Sequence, residues 1–233
     1  MPAVVKEKQA PDQQGFKKRV YLYRMEYHFI AIEGNIGAGK TTLAHKLAQH
    51  YNARLILEQF ADNPFLPRFY EDKERYAFPV ELSFLAERYS QLKDTLLNRE
   101  LFQQMIVADY TIIKSQLFAR NNLGPDEYEL FQRMAEIIRT QLPRPDLLIY
   151  LHSPIAKLQQ QIHQRGRPYE AQIADEYLQE IQEAYMQYLS HEEGPILMID
   201  TTWTDFNKAE HFAQLTDFLE SGETFERRSL FIK

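Results

Sequence analysis

Between an apolar run and a helical pattern lies Gly34-Asn35-Ile36-Gly37-Ala38-Gly39-Lys40-Thr41, a fit to G-x-x-x-x-G-K-[ST]. The run before it, Phe29-Ile30-Ala31-Ile32, reads as a buried strand, and Leu43, Leu47 and Ala48 after it have helical spacing. Strand, glycine loop and helix together are the setting in which this motif binds phosphate. The glycines let successive backbone N–H groups converge on phosphate oxygens, and the helix N-terminus adds partial positive charge. Lys40 is placed to reach the terminal phosphates of ATP, and the Thr41 hydroxyl suits Mg²⁺. The segment from Gly34 to Thr42 is therefore the expected ATP-binding loop. An unliganded glycine turn would not need the flanking strand and helix.

The chain has 233 residues, within the range of one α/β domain. At that length roughly 70% of the unfolded surface can be buried, so no covalent staple is required. The formal charge of −6 argues against a polynucleotide partner, which usually selects a basic surface. There are no cysteines, which excludes disulfides, zinc–thiolate sites and thiol nucleophiles. No apolar stretch has the length of a transmembrane helix, so no membrane partner is expected. Residues 1–24 are polar, with Lys17, Lys18, Arg19 and Arg24 at their end. They lack the apolar core of a secretory signal. They also lack serine, and acidic residues interrupt them, which fits a transit peptide poorly. The reading is a disordered tail over 1–24, with Met25 as an alternative start, a single domain over 25–233 and a cytoplasmic location.

Apolar runs alternate with helical patterns along the rest of the chain: Phe29–Ile32, Leu55–Leu57, Met105–Ala108, Leu147–Leu151 and Ile196–Ile199. This predicts an α/β fold with a five-stranded parallel sheet flanked by helices, a P-loop NTPase-type three-layer architecture. Ligands on such sheets sit at the carboxyl ends of the strands. Glu33, Glu58, Asp109, His152 and Asp200, which close the runs, gain interest for that reason. Pro143 and Pro145 follow a helix expected over Asp126–Gln141.

Several side chains then stand out. Glu58, at the end of the second strand, is placed to take a proton from an attacking hydroxyl, or to be a solvated loop acid. Asp109 closes four apolar residues in the manner of a Walker B strand, whose carboxylate serves Mg²⁺. A helix N-cap, shared with Thr111, explains it equally well. The helix predicted over Phe78–Leu97 has an apolar stripe of Leu82, Leu85, Tyr89, Leu92 and Leu96. At about 100° per residue, Glu81 and Arg88 share one face of it. Such a charged pair beside a core stripe must be paired or used; here the two are expected to line one pocket and to pair. Arg165-Gly166-Arg167, with Glu170 after it, is either a lid that folds over phosphates with bidentate donors or a solvated basic turn.

Together these segments resemble the deoxynucleoside kinase family, over roughly residues 27–206. Ile32-Glu33-Gly34 through Thr42 is similar to the family's P-loop with its Glu-Gly opening. Asn63-Pro64-Phe65-Leu66, Phe69-Tyr70 and Arg75-Tyr76-Ala77-Phe78 are similar to the stretch that leads into the substrate helix. The resemblance implies that Glu58 is the general base, that Tyr70 and Glu170 bind the sugar 3′-hydroxyl, and that Arg165 and Arg167 belong to the lid. It implies that Asp205 and Phe206, in the loop after Asp200, lie near the donor adenine. It also implies a homodimer through helices beside the substrate helix. Two positions depart from the pattern. The acidic-Arg-Ser triplet after the third strand reads Asp109-Tyr110-Thr111 here, so its arginine is missing, with Lys114 a candidate to replace it. The base-reading glutamine is Glu81, which when ionised only accepts hydrogen bonds, whereas Arg88 matches the pattern. The bacterial purine-type branch is the most similar, which implies deoxyadenosine or deoxyguanosine as acceptor and ATP with Mg²⁺ as donor. The alternatives are a nucleoside monophosphate kinase of the thymidylate kinase type and a nucleotide-binding sensor with little kinase activity.

Overall fold

The computed structural model describes residues 27–59, 63–97 and 105–232; the tail expected over 1–24 lies outside them. β1 (Phe29–Gly34), β2 (Arg54–Ile56), β3 (Ile106–Ala108), β4 (Leu147–His152), β5 (Ile196–Asp200) and β6 (Arg227–Phe231) form one sheet in the order β2-β3-β1-β4-β5-β6. Every neighbouring pair is parallel, with Ile30 opposite both Val107 and Leu147. Between them run α1 (Lys40–Tyr51), α2 (Leu66–Glu71), α3 (Lys73–Leu97), α4 (Ile113–Asn122), α5 (Pro125–Arg139), α6 (Ile155–Arg165), α7 (Asp175–His191) and α8 (Ala209–Glu220).

The two-residue period of a strand sends alternate side chains to opposite faces, and here both faces are dry. From β1, Phe29 and Ala31 join a cluster with Leu85, Leu92, Phe131, Ile181 and Tyr185 of α3, α5 and α7. Ile30 and Ile32 join the opposite cluster, with Leu43, Leu47, Leu158 and Leu215 of α1, α6 and α8. That double burial is why the strands read as continuous apolar runs rather than as alternating ones.

The sheet differs from expectation in one strand and several boundaries. It has six strands, because the charged segment Arg227–Phe231 pairs along β5 as an edge strand with mostly exposed side chains. β2 ends at Ile56, so Glu58 stands two residues past the strand. β3 begins at Ile106 and α5 runs from Pro125 to Arg139. α3 begins at Lys73, five residues before Phe78, and carries Pro79 within it. Pro79, seventh in α3, lies beyond the first four N–H groups that lack intrahelical acceptors, so it gives up one helical hydrogen bond, to the Arg75 carbonyl, and the helix continues past it.

Candidate active site

The loop from β1 into α1 makes the first wall of a cleft. Gly37 has φ 80°, and a Cβ there would lie 2.9 Å from the Leu158 carbonyl oxygen. At Gly34 a Cβ would lie 2.8 Å from the Leu151 carbonyl oxygen. Both positions demand glycine, because the loop packs directly on β4 and α6. Gly39 is the N-cap residue of α1; no side chain caps this end, and the first turn holds no acidic residue. The end of α1 is thus free to receive an anion. Lys40 Nζ donates to the carbonyl oxygens of Gly34 and Asn35, at 2.8 Å each. Burial lowers its pKa to about 8, against a contribution from Glu58 that raises it. Asn35 and Ala38 are buried. Asn35 uses its side chain to brace the loop, donating to Leu178 O at 2.6 Å.

At the floor, Thr41 Oγ1 donates to Asp109 Oδ2 at 2.6 Å, and the Glu58 backbone N–H donates to Asp109 Oδ1 at 2.8 Å. Asp109 therefore serves the glycine loop rather than capping a helix. Thr111 instead turns both its N–H and its hydroxyl to Glu33, at 2.6 and 2.7 Å. Tyr185 donates to the other Glu33 oxygen at 2.8 Å. Burial raises the Glu33 carboxyl above its ordinary pKa in spite of these bonds. Glu33 is thus a buried anchor between β1, the loop that joins β3 to α4, and α7. A hydroxyl beside a carboxylate at a phosphate loop is a fitting pair of hard oxygen donors for Mg²⁺, which keeps several ligands from water and phosphate.

Glu58 is the electrostatic centre. Its Oε1 accepts from Arg88 Nε at 2.9 Å and Nη2 at 2.5 Å, and its Oε2 accepts from Lys114 Nζ at 2.5 Å. The side chains of Arg88, Lys114 and Glu58 are only 5%, 8% and 14% exposed. Burial works against the charge of Glu58, but Lys114 and then Arg88 outweigh it and hold the carboxyl far below its usual range. Lys114 thus supplies the cation that Tyr110 does not. Tyr110 is fully buried and its hydroxyl donates to Gln91, which in turn donates to Leu57 O at 3.0 Å.

The expected pairing of Glu81 with Arg88 is not made. Seven residues of helix separate the two by roughly 10 Å along the axis, and nearer partners take both. Arg88 goes to Glu58 and also donates to Ser115 Oγ at 2.6 Å; Glu81 Oε1 accepts from Asn122 Nδ2 at 2.6 Å. Both still line one cleft with Lys40, Thr41, Glu58, Tyr70, Asp109, Lys114, Arg165, Arg167 and Glu170. Glu170 is buried and accepts from Arg165 and, at 3.1 Å, from Arg167. The ring of Tyr70 stacks on Tyr169, with centroids 5.8 Å apart.

Asp205 and Phe206 are not part of this cleft. Phe206 is 6% exposed and packs in the α1–α6–α8 cluster, where its ring gains more from burial than a solvated loop would give it. Asp205 shapes a local turn, its carboxylate accepting from the Asn207 N–H at 2.9 Å. Conversely, reading the sequence passed over Asn122 and Tyr177, which line the cleft, and the buried Ser115, which holds Arg88 from behind it. A signal existed for two of them: Ser115 and Asn122 are seven apart, the same interval as Glu81 and Arg88. A larger cavity of about 550 Å³ lies elsewhere, at the amino ends of β1, β4 and β5 beside Phe29, Leu148 and Ile196; the glycine loop is not part of it.

A sequence model described as deoxynucleoside kinase matches residues 30–220. The deoxyguanosine kinase of Bacillus subtilis (strain 168) is 35% identical over 207 residues, covering 88% of this chain and 96% of that protein. The deoxyadenosine kinase of Dictyostelium discoideum is 32% identical over 202 residues, covering 82% and 78%. Among solved structures, the deoxyadenosine kinase from M. mycoides with bound dATP superposes with a TM-score of 0.70 at 22% identity, covering 81% of this chain and 99% of that one. That likeness is one of fold.

Proposed function

Because this chain belongs to the deoxynucleoside kinase family, we propose that it transfers the γ-phosphoryl group of ATP, with Mg²⁺, to the 5′-hydroxyl of a deoxyribonucleoside in nucleotide salvage. It is a phosphotransferase, as its relatives are. A purine deoxynucleoside is the first candidate acceptor, supported by relatives named for deoxyguanosine and deoxyadenosine. A cytoplasmic location goes with this reading, since ATP is the proposed donor.

The observation that carries the proposal is the position of Glu58. It joins the phosphate loop, through Asp109, to the cleft lined by Tyr70, Glu81 and Arg88. In the proposed step the acceptor's 5′-oxygen attacks the γ-phosphorus, the bond to the ADP oxygen breaks, and the hydroxyl proton passes to Glu58. Lys114 and Arg88 keep Glu58 ionised and aimed. A carboxylate of such low basicity suits a loose transition state, in which positioning and charge stabilisation dominate and the proton moves late. Mg²⁺, held by Thr41 and Asp109, would neutralise charge on the phosphates. Lys40, Arg165 and Arg167 supply the remaining positive charge around the migrating group, and Tyr70 with Glu170 grips the 3′-hydroxyl.

A homodimer is part of the same proposal. Leu130 and Ile137, seven apart on α5, which packs beside α3, are 46% and 63% exposed, apolar positions that a second copy would cover. The test of the proposed chemistry is product identity. Incubated with ATP, Mg²⁺ and deoxyguanosine or deoxyadenosine, the protein should yield one equivalent each of ADP and the 5′-monophosphate, and the 5′-deoxy analogues should not be phosphorylated. Phosphate on the 3′-oxygen would rule out the assignment of Glu58.

A further inference from the structure

α3 and α4 run antiparallel and are joined by two polar rungs. Arg88 donates to Ser115 at 2.6 Å on one, and Asn122 donates to Glu81 at 2.6 Å on the other. The first rung is also tied to Glu58. The second is incomplete: Glu81 Oε2 and Asn122 Oδ1 are both buried with no hydrogen-bond partner among the described residues. Both residues line the nucleoside cleft, together with Val80, Phe84, Phe118 and Tyr177. Apolar and aromatic side chains suit a flat base, and two unpaired acceptors in such a wall cost free energy unless a ligand donates to them.

We propose that Glu81 and Asn122 together read the Watson–Crick edge of the base, taking guanine while Glu81 is ionised and adenine while it is protonated. This deepens the nucleoside kinase reading of the same cleft and rests on it. The guanine edge offers two adjacent donors, N1–H and the 2-amino group. These match one carboxylate oxygen and one amide oxygen side by side. The adenine edge offers an acceptor, N1, beside a donor, the 6-amino group. Against an ionised Glu81 its N1 would face a second acceptor. Once Glu81 takes a proton, its O–H donates to adenine N1 while Asn122 Oδ1 accepts from the 6-amino group. The same O–H would then oppose guanine N1–H. A thymine edge, with one N–H between two carbonyls, satisfies neither form fully.

The switch falls in an accessible range. Burial pushes the Glu81 carboxyl up to about 7, with Asn122, Arg88 and Lys114 pulling it down and Glu58 pushing it up. The other groups facing it are Tyr70 from α2 and Tyr177 from α7. Tyr177 stays neutral, because burial raises its pKa well above the ordinary value.

The experiment is kcat/KM for deoxyguanosine and deoxyadenosine with ATP and Mg²⁺ between about pH 5.5 and about pH 8.5. Taking the ratio of the two cancels titrations common to both, such as that of Lys40. The ratio of deoxyguanosine to deoxyadenosine should rise with pH by at least about tenfold along a single-proton curve. Glu81→Gln fixes a donor where the proton would be, so its ratio should be flat and close to the low-pH value of the wild type. As a check that needs no variant, calorimetry in buffers of different ionisation enthalpy should show that deoxyadenosine takes up protons on binding above neutral pH and deoxyguanosine does not. A flat wild-type ratio with both nucleosides turned over, or an unchanged pH dependence in Glu81→Gln, overturns the base-reading proposal and leaves the kinase reading standing. No turnover of either nucleoside at any pH overturns the kinase reading itself.

Discussion

Glu58 balances two buried cations, and that sets what its removal should do. Glu58→Gln keeps the shape but leaves Arg88 and Lys114 facing an amide in a site with little water. We expect kcat to fall by roughly 10²–10⁴-fold and stability by about 3–5 kcal/mol, as when one partner of a buried ion pair is lost. Adding Lys114→Met should restore much of the stability and none of the turnover, which separates the chemical role from the structural one. Thermal melts and steady-state rates on the single and double variants check this. Lys40 is different, because its ammonium rests on the loop carbonyls of Gly34 and Asn35 and is bonded to no carboxylate among the described residues. Lys40→Ala should lower kcat by roughly 10²–10³-fold with the melting temperature nearly unchanged. With its pKa lowered to about 8 by burial, Lys40 loses its charge as pH rises through that value. KM for ATP should therefore climb above pH 8 and stay flat below it; a KM constant up to pH 10 would contradict the assigned role. At this scale the glycine loop was plain from residue types alone, since close packing against Leu151 and Leu158 permits only glycine. Lys114 was visible merely as a nearby cation. What ties it to the site is its bond to Glu58, beside a Tyr110 that turns inward to Gln91, a packing choice that depends on α3 and cannot be read locally.

Elements bring together side chains that the sequence keeps far apart. α2 presents Tyr70 and the turn Pro168–Glu170 presents Glu170 to one cleft, so a 3′-hydroxyl can meet both. Nucleosides lacking it should be poor acceptors, because leaving such groups unpaired costs about 1–3 kcal/mol. In a Tyr70→Phe, Glu170→Gln variant that penalty should largely vanish. Because Glu170 also holds Arg165 and Arg167, the variant's overall kcat should fall as well; the diagnostic quantity is the ratio of kcat/KM for 2′-deoxy and 2′,3′-dideoxy acceptors. An unchanged ratio would place the sugar elsewhere. The start of α3 was hidden for a clear reason: Pro79 looks like a helix boundary, yet at the seventh position of a 25-residue helix it is tolerated. The pairing of Glu81 with Asn122 was hidden too, since helix periodicity states which residues share a face and not which helix lies opposite.

Across the whole molecule, the parallel sheet was legible because both faces of β1, β4 and β5 are buried and their runs are apolar throughout. β6 was not, because an edge strand needs only main-chain pairing and Arg227-Arg228-Ser229 gives no apolar signal; Ile232, just past its end, is the buried anchor. The strand order puts the glycine loop of β1 between β3 and β4. Asp109 and Glu58 from the β3 and β2 ends therefore lie to one side of it, and Arg165 and Arg167, at the end of α6 and just past it, to the other. Among the described residues no helix is long and apolar enough to cross a membrane. The central claim is that this arrangement phosphorylates a nucleoside hydroxyl. The segment from Glu58 to Tyr70 offers a monophosphate only one cation, Arg68, whose side chain is exposed. The direct measurement is kcat/KM with ATP and Mg²⁺ for the four common deoxynucleosides and their 5′-monophosphates, assayed side by side. The account predicts that at least one purine deoxynucleoside exceeds every monophosphate by about 10²-fold or more, the discrimination expected when a site's polar groups match one acceptor and not the other. A monophosphate phosphorylated faster than every nucleoside would contradict it.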